Sequence, residues 1–348
     1  MVKMINTTKI GKIYNTLLQV AILLITYWFI YDQVFYRKNL PGIVRALRDD
    51  FTHPDFTWLM VLIFLLMFVN WGVEAVKWRY LMAKIERIGF WKSYQAVLTG
   101  VTVSSFTPNR IGEYFGRVFI LKTGSRIEGI LVTILGSMSQ LLITIFMGSA
   151  ALLAFIPLFL THYWKYNGYL YYAIVAVVVG FNILILGFYL NVSFLSTLKD
   201  KLLRNGLKKM RKFFRIFAFY HNRELIRVLI YSFIRYLVFS FQFYLLLRLF
   251  GIRISYPDAM MLISLIYFVM AVIPTIALTE LGIRGSVTLY FFGIYFTGMG
   301  GITDQNSFGI LAASTLLWVI NLGLPALLGS LFVFRLKFFR KMGRNGTR

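Results

Sequence analysis

Thr107-Pro108-Asn109-Arg110-Ile111-Gly112-Glu113 interrupts, near its middle, an otherwise apolar region running from Ser93 to Leu121. An apolar stretch from Tyr94 to Phe106 leads into it, and a second half-helix runs on to Leu121. Neither half reaches the roughly 20 residues that a helix needs to cross a hydrocarbon core. A residue before proline is pushed out of the helical region and proline donates no N–H, so a regular helix cannot continue here. Backbone groups freed at membrane depth must be buried in protein or line a wet cavity. The expected form is a re-entrant hairpin over 93–121, broken at Pro108 and Gly112. A second region repeats the pattern. Ala259 to Ile273 leads into Pro274-Thr275-Ile276-Ala277-Leu278-Thr279-Glu280-Leu281-Gly282-Ile283-Arg284-Gly285, followed by an apolar stretch to Phe296. It predicts a second hairpin over 258–297, broken at Pro274 and Gly282.

Around these two regions lie six full-length helix candidates: Ile13 to Tyr31, Phe56 to Val76, Ile127 to Phe159, Tyr169 to Leu190, Leu225 to Leu249 and Phe308 to Phe334. The whole is an all-α polytopic membrane protein. Composition agrees: 59% of the 348 residues are hydrophobic and mean hydropathy is +0.72, more apolar surface than a soluble domain can hide. No polar block is long enough to fold separately, so residues 1–348 form a single membrane domain. Ile13 to Tyr31 follows three lysines but lacks a small-residue cleavage site, and reads as a retained first span rather than a signal peptide.

The net charge of +24, from 37 Lys and Arg against 13 Asp and Glu, is compatible with nucleic acid or anionic lipid as a partner. Placement favours lipid and argues against nucleic acid, because the basic residues crowd between apolar spans as in loops retained at an anionic leaflet. With six spans, two hairpins and a cytoplasmic N-terminus, inside segments hold 26 Lys or Arg and outside segments seven. Four more, Arg110, Arg117, Arg235 and Arg284, fall within membrane elements. The C-terminus is then also cytoplasmic. Residues 191–224 form a basic cytoplasmic connector, whose alternation of Lys and Arg with Leu, Met and Phe suits a helix lying on the leaflet. In this topology residues 56–159 are one unit, with its hairpin entered from the cytoplasm. Residues 225–336 are the same unit inverted, and paired interrupted segments of this kind point to a midplane transport site. The competing reading is a bundle of ordinary proline-kinked helices.

Arg110, Glu113 and Arg117 are spaced by three and four, and Glu280 and Arg284 by four, so each set shares a helix face. Charges at membrane depth cost about 2.5 to 3.5 kcal/mol each even on lenient scales. Either these residues pair with one another and pin the hairpins, or they line a polar cavity. In the second case Arg110, Arg117 and Arg284 bind a phosphate through bidentate donors, while Glu113 and Glu280 pair with them when the cavity is empty or exchange a proton. Arg235, ten residues into the fifth span, is a further candidate for the cavity or for a structural pairing with Gln242. Asn70, Gln140 and Asn321 are candidates to line it, with helix-to-helix hydrogen bonds as the alternative. Glu74, Lys77 and Arg79 close the second span at its cytoplasmic end and read as snorkelling or paired at the interface.

Other chemistries find little footing. There is no Cys, and His53, His162 and His221 lie far apart, so no metal or other cofactor is expected. No phosphate-binding nucleotide loop is present, which argues against ATP as an energy source. Trp28, Trp58, Trp164, Tyr169 and Tyr172 lie near span ends as interface anchors.

Pro108-Asn109-Arg110-Ile111-Gly112-Glu113 followed by Arg117 resembles the first signature of the flippase-like transmembrane domain of lysylphosphatidylglycerol synthases. Pro274 with Leu281-Gly282-Ile283-Arg284 is similar to the second. The resemblance implies a lipid translocase of the bacterial inner membrane, or a transporter of a polyprenyl-phosphate-linked lipid, without the aminoacyl transferase domain of the full synthases. One departure stands out. The family has paired Gly before the Leu-Gly and a Glu after the Arg, whereas here Thr279 and Glu280 precede and Gly285 follows. Two other functions remain open on the residues: a membrane transferase with Glu113 as general base, and a non-transporting scaffold.

Overall fold

The computed structural model describes residues 54–105, 107, 110–160, 168–191, 217, 219–273, 277–297 and 301–333, together with Leu17, Val20, Ala21, Leu24 and Trp28, which are helical and exposed. At 54, 55, 159, 160 and 277–279 the description is of backbone only. Most of the expected first span, Pro108, Pro274, nearly all of the basic connector and the C-terminal basic segment lie outside these residues. The described residues are helical and contain no strand.

Among the described residues, five helices are long and apolar enough to cross a membrane: Phe56–Met82, Arg126–Leu158, Gly168–Leu190, Asn222–Leu249 and Asp304–Val333. They match five of the six expected spans, with ends shifted by several residues. In chain order the elements are α1 (Pro54–Met82), α2 (Phe90–Ser104), α3 (Gly112–Val118), α4 (Arg126–Phe155), α5 (Gly168–Leu190), α6 (Asn222–Leu249), α7 (Tyr256–Val272), α8 (Ala277–Thr297), α9 (Asp304–Trp318) and α10 (Leu324–Val333).

Local sequence sets the starts. Ser125 caps α4 by accepting from the Glu128 N–H, and Thr303 caps α9 by accepting from Asn306. Ser255 caps α7, where Pro257 falls in the first turn and has no hydrogen bond to forfeit. Two wide π turns, Ile156–Leu160 and Val319–Gly323, break the long helices beside prolines. Pro157 lies in the first, and Pro325 follows the second, where its ring would strike the Asn321 carbonyl if the α-helix ran on.

The packing is reciprocal. α1 packs along α6, α4 along α7, and α10 along α2. In the last pair Gly329 lies so close to Leu98 and Thr102 that any side chain would collide with the backbone, and Thr102 donates its hydroxyl to the Ala326 carbonyl at 2.8 Å. Helix α5 stands apart, with Tyr189 its one fully buried residue, so its face is left to lipid.

Both interrupted regions fold back on themselves. Gly112 approaches Val103 and Gly116 approaches Gly100, so α3 returns antiparallel to α2. Tyr295 near the end of α8 donates to Asp258 at the start of α7, at 3.1 Å, so that pair is antiparallel too. Gly282 departs from its expected role: it lies inside α8, whose helix runs unbroken from Ala277. The interruption precedes it, between Val272 and Ala277.

Candidate functional site

The site begins with how the first interruption is sealed. Carbonyls at a helix end have no partner within the helix, and the run Ser104-Ser105-Phe106-Thr107 supplies hydroxyls for them. Ser104 donates to the Val101 carbonyl and Ser105 to that of Thr102, at 2.8 and 2.7 Å. Thr107 donates back to the carbonyls of Val103 and Ser104, and its oxygen accepts from the Gly112 N–H at 2.8 Å, starting α3. Arg110 takes a positive φ of 56°, the one non-glycine residue among those described to do so. This conformation is uncommon for a residue with a Cβ, and it turns the side chain away from α3 toward the second hairpin.

There Arg110 Nη2 donates to both oxygens of Glu280, at 2.7 and 2.8 Å. Glu280 Oε1 also accepts from Arg284 Nη2 at 2.7 Å, across one turn of α8. A second group lies beside it. Glu74 of α1 receives Lys77 at 2.8 Å, Arg117 of α3 at 2.8 Å and Arg235 of α6 at 3.3 Å. Arg117 is also tied to Glu113 by a short contact one turn earlier. Lys77 reaches the Gly136 carbonyl and the Ser232 hydroxyl, so it ties α1 to α4 and α6. The guanidinium of Arg235 lies 5.0 Å from the Trp71 ring centroid, a cation–π geometry, and donates to Gln140 at 3.4 Å.

Three carboxylates therefore face five cations, most of them buried: Lys77, Arg117, Glu74, Glu280 and Arg284 are all at most 8% exposed. Taking an ion out of water costs several kcal/mol, which a partner recovers only with good geometry. Among the described residues the cluster is short of negative charge by two.

A cavity of about 520 Å³ adjoins both groups, within the roughly 300 to 1,000 Å³ of small-ligand sites. Its charged lining is Arg110, Arg235, Glu280 and Arg284. Phe239, Met270 and Leu317 contribute an apolar side. Four lining residues keep a buried polar atom without a hydrogen-bond partner among the described residues: Asn70 Oδ1, Trp71 Nε1, Arg235 Nε and Arg284 Nε.

The six expected site residues thus divide. Arg110, Arg235, Glu280 and Arg284 line the cavity, whereas Glu113 and Arg117 do not: Arg117 reaches Glu74 of α1, and Glu113 pairs with Arg117. Arg235 pairs with Glu74 and Gln140; Gln242 instead donates to the Ile63 carbonyl and accepts from Asn321. Asn70 donates to Asn321 at 3.3 Å, so these two expected lining residues are linked, whereas Gln140, also on the lining, is joined to Arg235. Glu74 and Lys77 are paired, as one of the two expected alternatives had it, but at 4% and 1% exposure they are interior and not snorkelling residues, and Glu74 is the hub of the second ion-pair group. A signal was available, because Asn70, Glu74 and Lys77 share one helical face and apolar residues resume at Trp78. No group of three or more His, Asp or Glu that could hold a metal occurs among the described residues.

The fold and cluster define a multi-pass helical membrane protein with a charged interior cavity. Residues 16–329 match the family model of the lysylphosphatidylglycerol synthase TM region. The chain belongs to that family, which directs its role to membrane lipids. No curated protein and no solved structure matches it significantly.

Proposed function

We propose that this protein moves an anionic amphiphile, a phospholipid or a polyprenyl-phosphate-linked lipid, across the bacterial inner membrane through the cavity between its two hairpins. The observation that carries the reading is the shortage of negative charge in a buried cluster that adjoins an open volume. A phosphate would supply that charge. Arg110 and Arg284 are its natural holders, since guanidinium forks match phosphate oxygens and both already present donors to a carboxylate. Glu280 then occupies the seat of the phosphate while the cavity is empty and yields it when lipid enters.

The packing supports alternating access of a re-entrant, inverted repeat. The last helix of each unit, α4 or α10, lies on the first hairpin arm of the other, α7 or α2, while α1 and α6 meet each other. Two inverted units related by a pseudo-two-fold axis would pair in this way. The basic loops then set the N- and C-termini in the cytoplasm. A transferase using Glu113 as base draws less support, because Glu113 is tied to Arg117 and does not line the cavity.

The test is translocation of a tail-labelled anionic phospholipid in reconstituted vesicles. Arg110→Ala and Arg284→Ala are each expected to slow it at least tenfold, with the protein still folded and inserted. Wild-type rates in both variants would remove the proposed site.

A further inference from the structure

We infer that a lipid held in the cavity keeps its chains in the bilayer and passes them out through an apolar mouth at the end of α7, where Ala271 and Val272 form the rim. This rests on the proposed transport role of the cavity and adds the route its chains take.

Size requires a mouth. The cavity of about 520 Å³ equals a sphere roughly 10 Å across, whereas a chain filling one leaflet runs roughly 15 Å, half of a hydrocarbon core about 30 Å thick. The phosphate end takes part of the same space, so the chains of a diacyl or polyprenyl lipid have to lie outside. A chain outside keeps apolar surroundings only where it leaves at membrane depth, over apolar side chains.

The end of α7 meets both conditions. Met270, Ala271, Val272 and Ile273 are consecutive residues of the lining, and none has a charged or hydrogen-bonding side chain. Ala271 is exposed and Val272 is 70% exposed. Asn70 and Trp71 of α1 and Leu317 and Trp318 of α9, elsewhere on the lining, are buried, so the cavity is shut on those sides. Neighbouring helices set the depth of the opening. Along α7, Tyr256 meets Tyr244 at 5.1 Å and Tyr267 stacks on Phe239 at 5.2 Å, so α7 runs antiparallel to α6 and ends deeper than Phe239. On the α4 side Gly148 lies against Phe268, one turn before that end. Gly148 and Phe239 are well inside the apolar spans Arg126–Leu158 and Asn222–Leu249. Val272 therefore opens at membrane depth. The polar counterpart of this rim is Arg110, whose side chain also lines the cavity and is 41% exposed. An opening with one charged and one apolar edge suits an amphiphile, and it sets no limit on chain length.

Photolysis of phosphatidylglycerol bearing a diazirine midway along one acyl chain, in phosphatidylcholine vesicles that hold the full protein, tests this. Carbene adducts are expected on the peptide that contains Met270 to Ile273, and are expected to fall at least fivefold in Arg284→Ala. Adducts at Val177 of α5, a valine 71% exposed and off the cavity lining, report bulk lipid and are expected to stay constant. Val272→Trp, which fills the mouth from an exposed position, is expected to slow translocation of the same lipid at least tenfold, and Val177→Trp to leave it unaltered. Equal adducts at 270–273 in wild type and Arg284→Ala would overturn the inference. So would wild-type translocation by a folded Val272→Trp. The comparison of adducts decides the matter even where that variant does not fold. Arg284-dependent adducts at the mouth without any translocation would sink the transport reading alone. Translocation with Arg284-dependent adducts confined to other helices would sink the mouth alone.

Discussion

The two hairpins carry the same charged pair, a Glu followed four residues later by an Arg, yet put it to different use. In the first, Glu113 and Arg117 sit on the seven-residue α3, which is pressed against α2 so tightly that Gly116 and Gly100 leave no room for a Cβ. Arg117 is spent on Glu74 of α1. In the second, Glu280 and Arg284 sit on the 21-residue α8 and line the cavity. Two of its three interior glycines, Gly282 and Gly293, have open space where a Cβ would go, and the third, Gly285, is buried. The first hairpin is fastened by close backbone contacts; the second, though buried along Leu281, Thr288 and Phe292, is looser at Gly282 and Gly293. Among the described residues Arg110 is the one cation of the first that pairs with an acid of the second. Under the proposed transport, the first hairpin is the anchor and the second the partner that moves.

The largest expected effect lies at the anchor. Arg117→Ala leaves Glu74 and Glu113 short of a buried partner, and the cost is expected at about 3 to 5 kcal/mol, measured as a fall in apparent melting temperature of the purified protein. Arg284→Ala, on the cavity wall beside open volume, is expected to cost clearly less in the same assay while abolishing lipid retention. Equal losses in the two variants would erase the distinction between fastened and loose. Helix packing gives a second contrast. Gly116→Ala places a Cβ about 2.8 Å from the Gly100 Cα, and such overpacking costs about 1 to 3 kcal/mol. Gly282→Ala meets nothing and relieves a helix interior of glycine, so it is expected to be neutral or to stabilise by up to about 1 kcal/mol. Thermal melts of the two alanine variants side by side decide the matter.

The smallest effect is at the exit of the first hairpin. Glu86 is partly buried, which raises its pKa. The backbone N–H groups of Gly124, Thr123 and Lys122 and the Thr123 hydroxyl outweigh that, holding its carboxyl below the usual carboxylate range. A lowered native value gives stability that is present above the ordinary carboxylate pKa and is lost as pH falls through the native one. Solvent screening holds it to about 1 kcal/mol or less. Glu86→Gln is expected to lower the melting temperature slightly at neutral pH and to flatten its decline between about pH 5 and 3.

Hydropathy made the spans legible because a membrane allows few alternatives: about 20 apolar residues in a row have one use. Pro108 and Pro274, with charges close behind them, marked where the two short regions would be interrupted. The family signatures around Arg110 and Arg284 agreed with the match over 16–329. The site was legible only as a set of charges near interruptions. Spacing on one helix places Glu113 beside Arg117, but the positive φ that sends Arg110 to Glu280 across 170 positions is a property of the folded turn. Glu74 was hidden for a related reason. A charged residue near the end of a span looks interfacial until the helix is seen to continue through Trp78 to Met82 and to be covered by α2, α4 and α6. Gly282 misled because glycine in a helix can mean a break, a close contact or neither, and here nothing approaches it.

The central claim is that the cavity arginines, and not the anchor, hold the phosphate of a lipid. The most direct measurement is the occupancy of phosphatidylglycerol on purified protein by native mass spectrometry, in wild type and in Arg284→Ala, Arg110→Ala and Gly282→Ala. The account predicts bound lipid in wild type and Gly282→Ala, and at least a tenfold loss in both arginine variants. Undiminished lipid in Arg110→Ala and Arg284→Ala would contradict it.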